Sequence, residues 1–494
     1  MRALFTALAI AALPTAAMAQ TPPPAEIPAL HDIAVAPSPE RIEADIATLV
    51  GFGTRHTLSE TESDTRGIGA ARRWIHAEFE RISAACGGCL EVMYVSDTVT
   101  APASPSLAEV VSVIAIQRGT ADPNRYVLMS GDIDSRVTDV LNATDDSPGA
   151  NDNASGVAGT LEAARVLTRH RFPATIVYAA LAGEEQGLFG GQILAAHAQR
   201  EGWRLQAVLN NDMIGNSAGI NGVVDNTTAR VFAEGTRMTE TAQEATQRRF
   251  TGGEVDSPSR NLARYIERIG EQYVPNLDVM MVYRLDRFGR GGHHRPFNDL
   301  GYPGVRIMET NEHYDRQHQD LRNEDGRHYG DTLAYVDFDY AAKLTGLNAV
   351  ALAGMAWAPP PPADVQIEGA VSPDTTLRWT RPTDAQAPEL AGYRIYWRLT
   401  TEPQWTHSRW VGDVTEFTLE NVVIDNYFFG VAAVADNGAE SPVVFPGAAG
   451  SFGGYSASSV SGSWSAPSES TARTCIRAFR SVAGSAERNT MSAS

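Results

Sequence analysis

Residues 131–156 read GDIDSRVTDVLNATDDSPGANDNASG and contain six aspartates. The apolar run 126–129 before this stretch predicts a buried strand that ends at Gly131. After it, apolar residues recur at helical spacing: Val157, Leu161, Ala164 and Leu167. The carboxylates therefore fall in a loop between the carboxyl end of a strand and a helix, where open α/β sheets place their binding sites. Clustered carboxylates repel one another unless positive charge holds them, and a divalent metal ion is a common partner.

Strands and helices alternate along the first three quarters of the chain. This alternation predicts an α/β fold, with a mostly parallel mixed sheet sandwiched by helices. The predicted strands are Val110–Ile116, Tyr126–Ser130, Thr175–Leu181, Gln206–Asn210 and Val305–Met308. The predicted helices cover residues 38–50, 67–82, 154–169, 186–199, 226–247 and 338–356.

The composition changes at the proline-rich linker 358–363. Residues 364–448 contain short alternating apolar runs separated by turn residues, which predicts an all-β sandwich. Trp379, the strand Tyr393–Trp397 and Tyr427 resemble a fibronectin type III module, with Tyr427 at its tyrosine-corner position. Residues 449–494 are rich in Ser, Gly and Ala and are predicted to form a flexible tail.

The first residues predict export. Residues 1–19 combine Arg2, an apolar core and a small-residue pattern ending at Ala19, which is typical of a secretory signal peptide. Residues 20–37 are rich in Pro and Ala and are predicted to be disordered. The formal net charge of −19 argues against nucleic-acid binding, and no later segment is long and apolar enough to predict a membrane span.

Cys86 and Cys89 are separated by two glycines. In an exported chain this spacing favours a short local disulfide, with a redox or metal motif as the alternative.

Acidic residues follow three further predicted strands. Glu184 and Glu185 come after the strand that ends at Leu181, Asp212 follows the strand that ends at Asn210, and Glu309 opens a segment rich in acids and histidines. Parallel strands end at one edge of a sheet, so these groups are expected to meet the Asp loop there. Neighbouring side chains diverge at a turn, so one Glu can bind a metal while the other moves a proton.

Three ordered motifs now carry a resemblance. The strings PGANDNASG at 148–156, GEEQG at 183–187 and NDM at 211–213 resemble the co-catalytic di-zinc aminopeptidases of the bacterial leucyl aminopeptidase type, in metallopeptidase clan MH. The same clan includes glutamate carboxypeptidases and glutaminyl cyclases. The resemblance covers roughly residues 40–356 and implies a catalytic domain over 38–357 with the α/β fold of these aminopeptidases.

The resemblance also implies roles for the acidic residues. Asp152 corresponds to the carboxylate that bridges two metal ions, and Glu184 to the general base. Glu185 then binds one ion and Asp212 the other.

The last metal ligand of the family is a histidine after the strand that carries Glu309. His313, His318 and His328 are candidates; the spacing from Tyr314 favours His318, with His328 second. His294 lies in a segment that resembles the lining of the family's substrate pocket, so it either contacts substrate or is structural.

The chain departs from the family at one ligand. The family has His-x-Asp at the end of the second predicted strand, whereas this chain has Asp132-Ile133-Asp134. We expect Asp132 to act as a metal ligand. Asp134 is expected to stabilise the site without binding metal, and Arg136 is a candidate partner of Asp134. Two divalent ions are expected. Zinc is predicted at Asp152, Glu185 and His318, and zinc or a harder ion such as Mn²⁺, Mg²⁺ or Ca²⁺ at the oxygen-rich site of Asp132, Asp152 and Asp212.

These features predict an exported metal-dependent aminopeptidase that acts on peptides. A carboxypeptidase or dipeptidase of the same clan is one alternative. A catalytically impaired binding protein is the other, with the C-terminal module contacting a surface or a carbohydrate.

Overall fold

The computed structural model describes residues 21–100 and 107–452. The predicted signal peptide at 1–19 and nearly all of the predicted tail at 449–494 lie outside these residues. In the described part of the chain, no helix has the length and apolar character needed to cross a membrane.

An eight-stranded mixed sheet forms the centre of the larger, N-terminal domain. Its strands are β1 (Leu90–Thr100), β2 (Leu107–Gln117), β3 (Asp122–Asp132), β4 (Ala174–Leu181), β5 (Arg204–Asn211), β6 (Thr228–Phe232), β7 (Asp278–Val282) and β8 (Gly304–Glu309). Their order across the sheet is β1-β2-β4-β3-β5-β8-β6-β7. The four central strands β4, β3, β5 and β8 run parallel, and the outer joins β1–β2, β2–β4 and β6–β8 are antiparallel. The predicted α/β fold is confirmed.

Helices cover this sheet. They are α1 (Pro28–Ala34), α2 (Pro39–Gly51), α3 (Gly67–Ala85), α4 (Gly156–Leu167), α5 (Phe189–Arg200), α6 (Ala242–Thr251), α7 (Pro258–Tyr273), α8 (His294–Asp299) and α9 (Phe338–Trp357). Helices α4 and α9 pack together against β3 and β4, and α1, α2 and α7 pack on α9. Helices α5 and α8 form a second pair that contacts β2, β5 and β8. Because it is enclosed in this way, α9 is buried along most of its length.

The predicted helix at 226–247 is wrong. The structure has strand β6 at Thr228–Phe232, between β8 and β7, followed by a shorter helix at Ala242–Thr251. The helix starts only at Thr241, whose hydroxyl caps the Glu244 amide while the Glu244 carboxylate accepts from the Thr241 amide. A reciprocal capping box of this kind fixes the helix start, and the preceding residues instead extend the sheet.

The predicted disorder of residues 20–37 is also wrong. Helix α1 forms within this segment, and Leu30 and Ile33 are buried against the core. The Tyr273 hydroxyl accepts a hydrogen bond of 2.9 Å from the Ile27 amide. The segment is ordered because its few apolar residues lie on one helix face, which packs on α9.

A β-sandwich follows the N-terminal domain, after a small hairpin of β9 (Arg322–Glu324) and β10 (Arg327–Tyr329). The strands of the sandwich are β11 (Ala363–Glu368), β12 (Thr375–Thr380), β13 (Leu390–Leu399), β14 (His407–Gly412), β15 (Glu416–Leu419) and β16 (Tyr427–Ala435). They form two three-stranded antiparallel sheets, with orders β11-β12-β15 and β14-β13-β16. Its identity as a fibronectin type III module stays a prediction.

Two buried ionic clusters hold the sandwich against helix α7. In the first, Asp256 accepts hydrogen bonds from Arg398 at 2.7 and 2.9 Å and from Arg264 at 2.8 Å. In the second, Glu440 pairs with Arg394 of the sandwich at 2.7 Å and with Arg268 of α7 at 3.0 Å. The start of the linker at residues 358–363 is also held in place, because the buried Arg125 donates a hydrogen bond of 2.8 Å to the Ala358 carbonyl. The sandwich is thus a fixed part of the folded protein.

The Glu440 cluster predicts a pH-dependent stability. Burial opposes ionisation, but Arg268 and Arg394 hold the pKa of Glu440 below its usual range. Its stabilisation is therefore present above the unfolded-state pKa and is lost as pH falls through the lower folded-state value. At pH 7, Glu440→Gln should lower the free energy of unfolding by about 2 kcal/mol, because two half-buried guanidinium groups lose a charged hydrogen-bond partner.

Chemical denaturation from pH 7 down to pH 3 measures this effect. The difference between wild type and Glu440→Gln should shrink below about pH 4. The exposed Glu420→Gln serves as the control, with almost no change at any pH. A Glu440→Gln effect that does not depend on pH would contradict the role of this ion pair.

Candidate metal centre

The carboxyl ends of four neighbouring strands meet at one edge of the sheet. In the strand register, Asp132 pairs with Leu181, Gly131 with Asn211, and Asn211 with Ile307. The residues that follow these strand ends therefore lie side by side, as the sequence predicted. They supply the side chains of the candidate site: Asp132, Asp134, Asp152, Glu184, Glu185, Asp212 and His318.

The turn that carries Asp152 is fixed by its backbone. The amides of Asn151 and Asp152 donate to the buried Asp331 carboxylate, at 2.9 and 2.6 Å. Arg55, fully buried, donates to the carbonyls of Pro148 at 2.6 Å and Gly149 at 2.8 Å. These contacts engage the backbone amides and carbonyls of the loop and fix its conformation, and the Asp152 carboxylate is directed into the site.

Asp152, Glu185 and His318 converge. One carboxylate oxygen from each acid lies 2.8 Å from His318 Nε2, and the three ligand atoms all lie within 4.8 Å of one another. Burial opposes protonation of the ring, yet Glu185 and Asp152 raise the pKa of His318 to about 10. The two carboxylates therefore strongly favour a positive charge at this point.

The backbone of His318 is strained into this position. Its φ is 54°, in the left-handed region that non-glycine residues rarely occupy. Such conformations persist where the surrounding structure holds them and are common at functional sites. The other two candidate histidines lie elsewhere: His328 is exposed on the β9–β10 hairpin, and His313 lies in the loop that follows β8.

This donor set fits zinc. Two carboxylate oxygens and one imidazole nitrogen form a three-residue ligand set that leaves a fourth position open, as in catalytic zinc sites. All three side chains are largely shielded from solvent, with exposures of 10%, 6% and 19% for Asp152, Glu185 and His318.

Arg136, the candidate partner of Asp134, pairs instead with two of the three converging residues. Arg136 Nε lies 2.7 Å from Glu185 Oε2, and its NH2 group lies 2.7 Å from His318 Nδ1. Asp134 instead accepts the backbone amides of Glu184 at 3.1 Å and Glu185 at 3.0 Å, together with the Thr57 hydroxyl. Asp134 thus holds the turn that presents both glutamates.

Glu184 stands beside the three ligands on this turn. Burial, together with the negative charges of Asp212 and Glu185, raises the pKa of Glu184 well above its usual range. A carboxylate with a raised pKa holds a proton more readily than an ordinary one, which is a property that a general base needs.

The other predicted metal site does not fit. Asp212 Oδ2 lies 2.6 Å from the guanidinium of Arg306, and Asp132 Oδ1 lies 2.6 Å from His293 Nδ1. The second oxygen of Asp132 accepts from Asn153 at 2.7 Å. Within the described residues, the one group of side chains placed to hold an ion is Asp152, Glu185 and His318. The prediction of Asp132 and Asp212 as ligands is therefore not supported by their contacts.

His294 has a structural position. It is fully buried, and its Nε2 hydrogen bonds the Leu285 carbonyl at 2.8 Å. Burial lowers its pKa to about 4, so the ring is neutral at physiological pH. Direct substrate contact, one of its two predicted roles, does not agree with this burial.

The sequence model of peptidase family M28 matches residues 112–336. A probable zinc metalloprotease of Pyricularia oryzae is 44% identical over 415 residues, covering 83% of this chain and 82% of that protein. Another, of Leptosphaeria maculans, is 44% identical over 412 residues, covering 83% of this chain and 94% of that protein. The chain belongs to peptidase family M28. Among solved structures, the Legionella pneumophila LapA aminopeptidase is 18% identical with a TM-score of 0.47, covering 67% of this chain and 74% of that one.

Membership in family M28 confirms the coarser part of the predicted resemblance. The two relatives are described as probable zinc metalloproteases, so family and relatives agree on a metal-dependent peptidase class. The matched residues include all the candidate ligands and Glu184.

Several residues of the site are not predicted from the sequence. Arg306 lies inside the predicted strand Val305–Met308, and His293 directly precedes His294; no motif indicates a role for either at the site. A signal existed for Arg306, because an arginine inside a buried strand must find a carboxylate. Asp331 and Arg55 bind backbone groups of the Asp152 loop from outside the motifs, and no local pattern identified them.

The two amide contacts of Asp134 predict a specific loss of zinc affinity. In Asp134→Asn, one acceptor oxygen is replaced by an amide group that faces a backbone N–H. The Glu184–Glu185 turn should loosen, and zinc affinity should fall about 10- to 100-fold, as for other groups that orient metal ligands. Competition with a chromophoric chelator measures the affinity. Thr57→Val removes only the shared hydroxyl and should retain most of it; equal losses in both variants would contradict this role.

Proposed function

We propose that this protein is an exported metallo-aminopeptidase that removes N-terminal residues from peptides. The observation that carries the proposal is the convergence of Asp152, Glu185 and His318 beside Glu184. The ordered motifs at 148–156, 183–187 and 211–213, which resemble leucyl aminopeptidases, support action at the N-terminus.

The chemistry follows from these side chains. Asp152, Glu185 and His318 would hold zinc, which when bound polarises a peptide carbonyl and makes a water molecule acidic enough to react near neutral pH. The Glu184 carboxylate would accept a proton from the attacking water and pass it to the leaving amine. Asp134 keeps Glu184 in place through the backbone amide, so the proton acceptor does not drift from the reacting atoms.

Two observations support export. Residues 1–19 have the pattern of a signal peptide, and Cys86 and Cys89 are joined in the structure as a disulfide, which is typical of oxidising compartments. The docking contacts of the C-terminal sandwich favour a stabilising role for this module over binding of a carbohydrate.

A carboxypeptidase is the second candidate, because arginines lie near the site. Arg287 and Arg290 both contact Glu312, at 3.0 and 3.2 Å, and both contribute to the low pKa of Asp152. Guanidinium groups in this position would attract the free carboxylate of a peptide C-terminus.

The role of Glu184 is tested by Glu184→Gln, which keeps the size of the side chain but removes the proton acceptor. Hydrolysis of aminoacyl-nitroanilides should fall by at least about 100-fold, the lower end of the contribution of a general base. Zinc content, measured by mass spectrometry, should not change. The exposed Glu80→Gln is the matched control and should keep wild-type activity. If Glu184→Gln remained active, another residue would have to be the base.

Blocked peptides decide between the two ends of the substrate. An aminopeptidase should cleave peptides with an amidated C-terminus and leave N-acetylated peptides intact, whereas a carboxypeptidase should show the reverse pattern. Product analysis by mass spectrometry identifies the released residue. Activity should disappear with a chelator and return with zinc. Absence of hydrolysis of every peptide by the zinc-loaded protein would instead favour an impaired binding protein.

A further inference from the structure

We infer that this protein binds a single zinc ion, and that the side chains of Arg306 and His293 occupy the place of a second ion. The inference rests on the proposed metal-dependent function, because it concerns the ligands of the same site. It goes beyond that function in three respects: one ion is bound instead of two, Asp152 is a ligand of that ion alone, and side chains of the protein supply the remaining positive charge at the sheet edge.

Arg306 is the central observation. Its guanidinium lies 2.6 Å from Asp212 Oδ2 and 3.1 Å from Asp286 Oδ2, and it donates to the Gly291 carbonyl at 2.8 Å. The side chain is fully buried, and these contacts come from two segments, the end of β5 and the loop between β7 and α8. It is therefore held as a fixed cation in front of Asp212, and cannot leave without exposing two unpaired carboxylates to a buried environment.

Asp132, the other predicted ligand of the second ion, also has its partners within the protein. Oδ1 is engaged by His293 Nδ1 at 2.6 Å, and Oδ2 accepts from Asn153 at 2.7 Å. Asn153 cannot turn away, because its side chain also donates to the Asn211 carbonyl at 2.7 Å and accepts from the Gly156 amide. Both oxygens of Asp132 are thus committed to neutral or cationic donors, not to an ion.

The imidazole at this position comes from a different element. Where the family places a histidine at the end of its second strand, this chain has Asp132, and a ring arrives from His293 just before helix α8. His293 is fully buried and touches the carboxylate directly. With its two oxygens bound by His293 and Asn153, the Asp132 carboxylate has its partners within the protein.

Charge balance agrees with one ion. The guanidinium groups of Arg306 and Arg287 lie 2.6 and 3.8 Å from Asp212 Oδ2, and together they carry the charge of one divalent cation. A second zinc beside Asp212 would face the fixed charge of Arg306 at short range. Asp152 then ligates one ion and does not bridge two.

Metal counting on the full-length mature protein tests this inference. The protein is loaded with excess zinc, dialysed, and measured by inductively coupled plasma and native mass spectrometry. One zinc per chain is expected, and X-ray absorption should show zinc with oxygen and nitrogen neighbours and without a second metal at about 3.5–4 Å. Two tightly held zinc ions per chain, with a metal–metal distance in that range, would overturn the inference but leave the proposed peptidase function intact.

Variants assign the ligands without relying on activity. Asp132→Asn should retain one zinc per chain, whereas His318→Gln should lose at least about 10-fold in zinc affinity, because it removes a direct ligand. Loss of zinc from Asp132→Asn, with His318→Gln unaffected, would overturn the inference. A wild-type protein that binds no zinc and hydrolyses peptides in the presence of chelator would overturn the proposed function itself, so the two failures are distinguishable.

Discussion

Carboxylates buried together at one edge of the sheet repel one another, and the arrangement of the site follows from how each is neutralised. Asp331 and Asp134 accept hydrogen bonds from backbone amides, and these bonds fix the Asp152 loop and the glutamate turn. Asp212 is held by a guanidinium, and Asp132 by a ring nitrogen and an amide. Asp152 and Glu185 differ from these acids, because both converge on the single ring nitrogen of His318 and form with it one group of ligand atoms directed at a common point.

The sequence predicted the central strands and the acidic groups at their ends because both signals are local. A buried strand appears as a continuous apolar run, and a carboxylate at the next turn must lie at the sheet edge. Asp152, Glu184 and Glu185 could be named for this reason. His318 required the resemblance in addition, since three histidines follow the same strand.

The contacts that change the chemistry could not be predicted, because they join distant parts of the chain. His293 reaches Asp132 across 161 residues, and Arg306 reaches Asp212 across 94. Neither contact leaves a periodic pattern, and a single sequence shows no covariation. The same limit explains β6, which is a strand because β8 and β7 lie on either side of it, and α1, which is ordered because α9 offers it an apolar surface.

The ionic clusters between the sandwich and helix α7 have a consequence for the resistance of the folded protein to proteolysis. Arg264 of α7 and Arg398 of the sandwich share the buried carboxylate of Asp256. Separating the two domains would therefore break this cluster and leave its charged groups without their partners. Domains joined in this way open together and not one at a time, which keeps the linker closed to proteolysis in the native state. Such a joint prolongs the lifetime of the folded protein in the presence of proteases, since cleavage must wait for the rare event in which the whole protein unfolds.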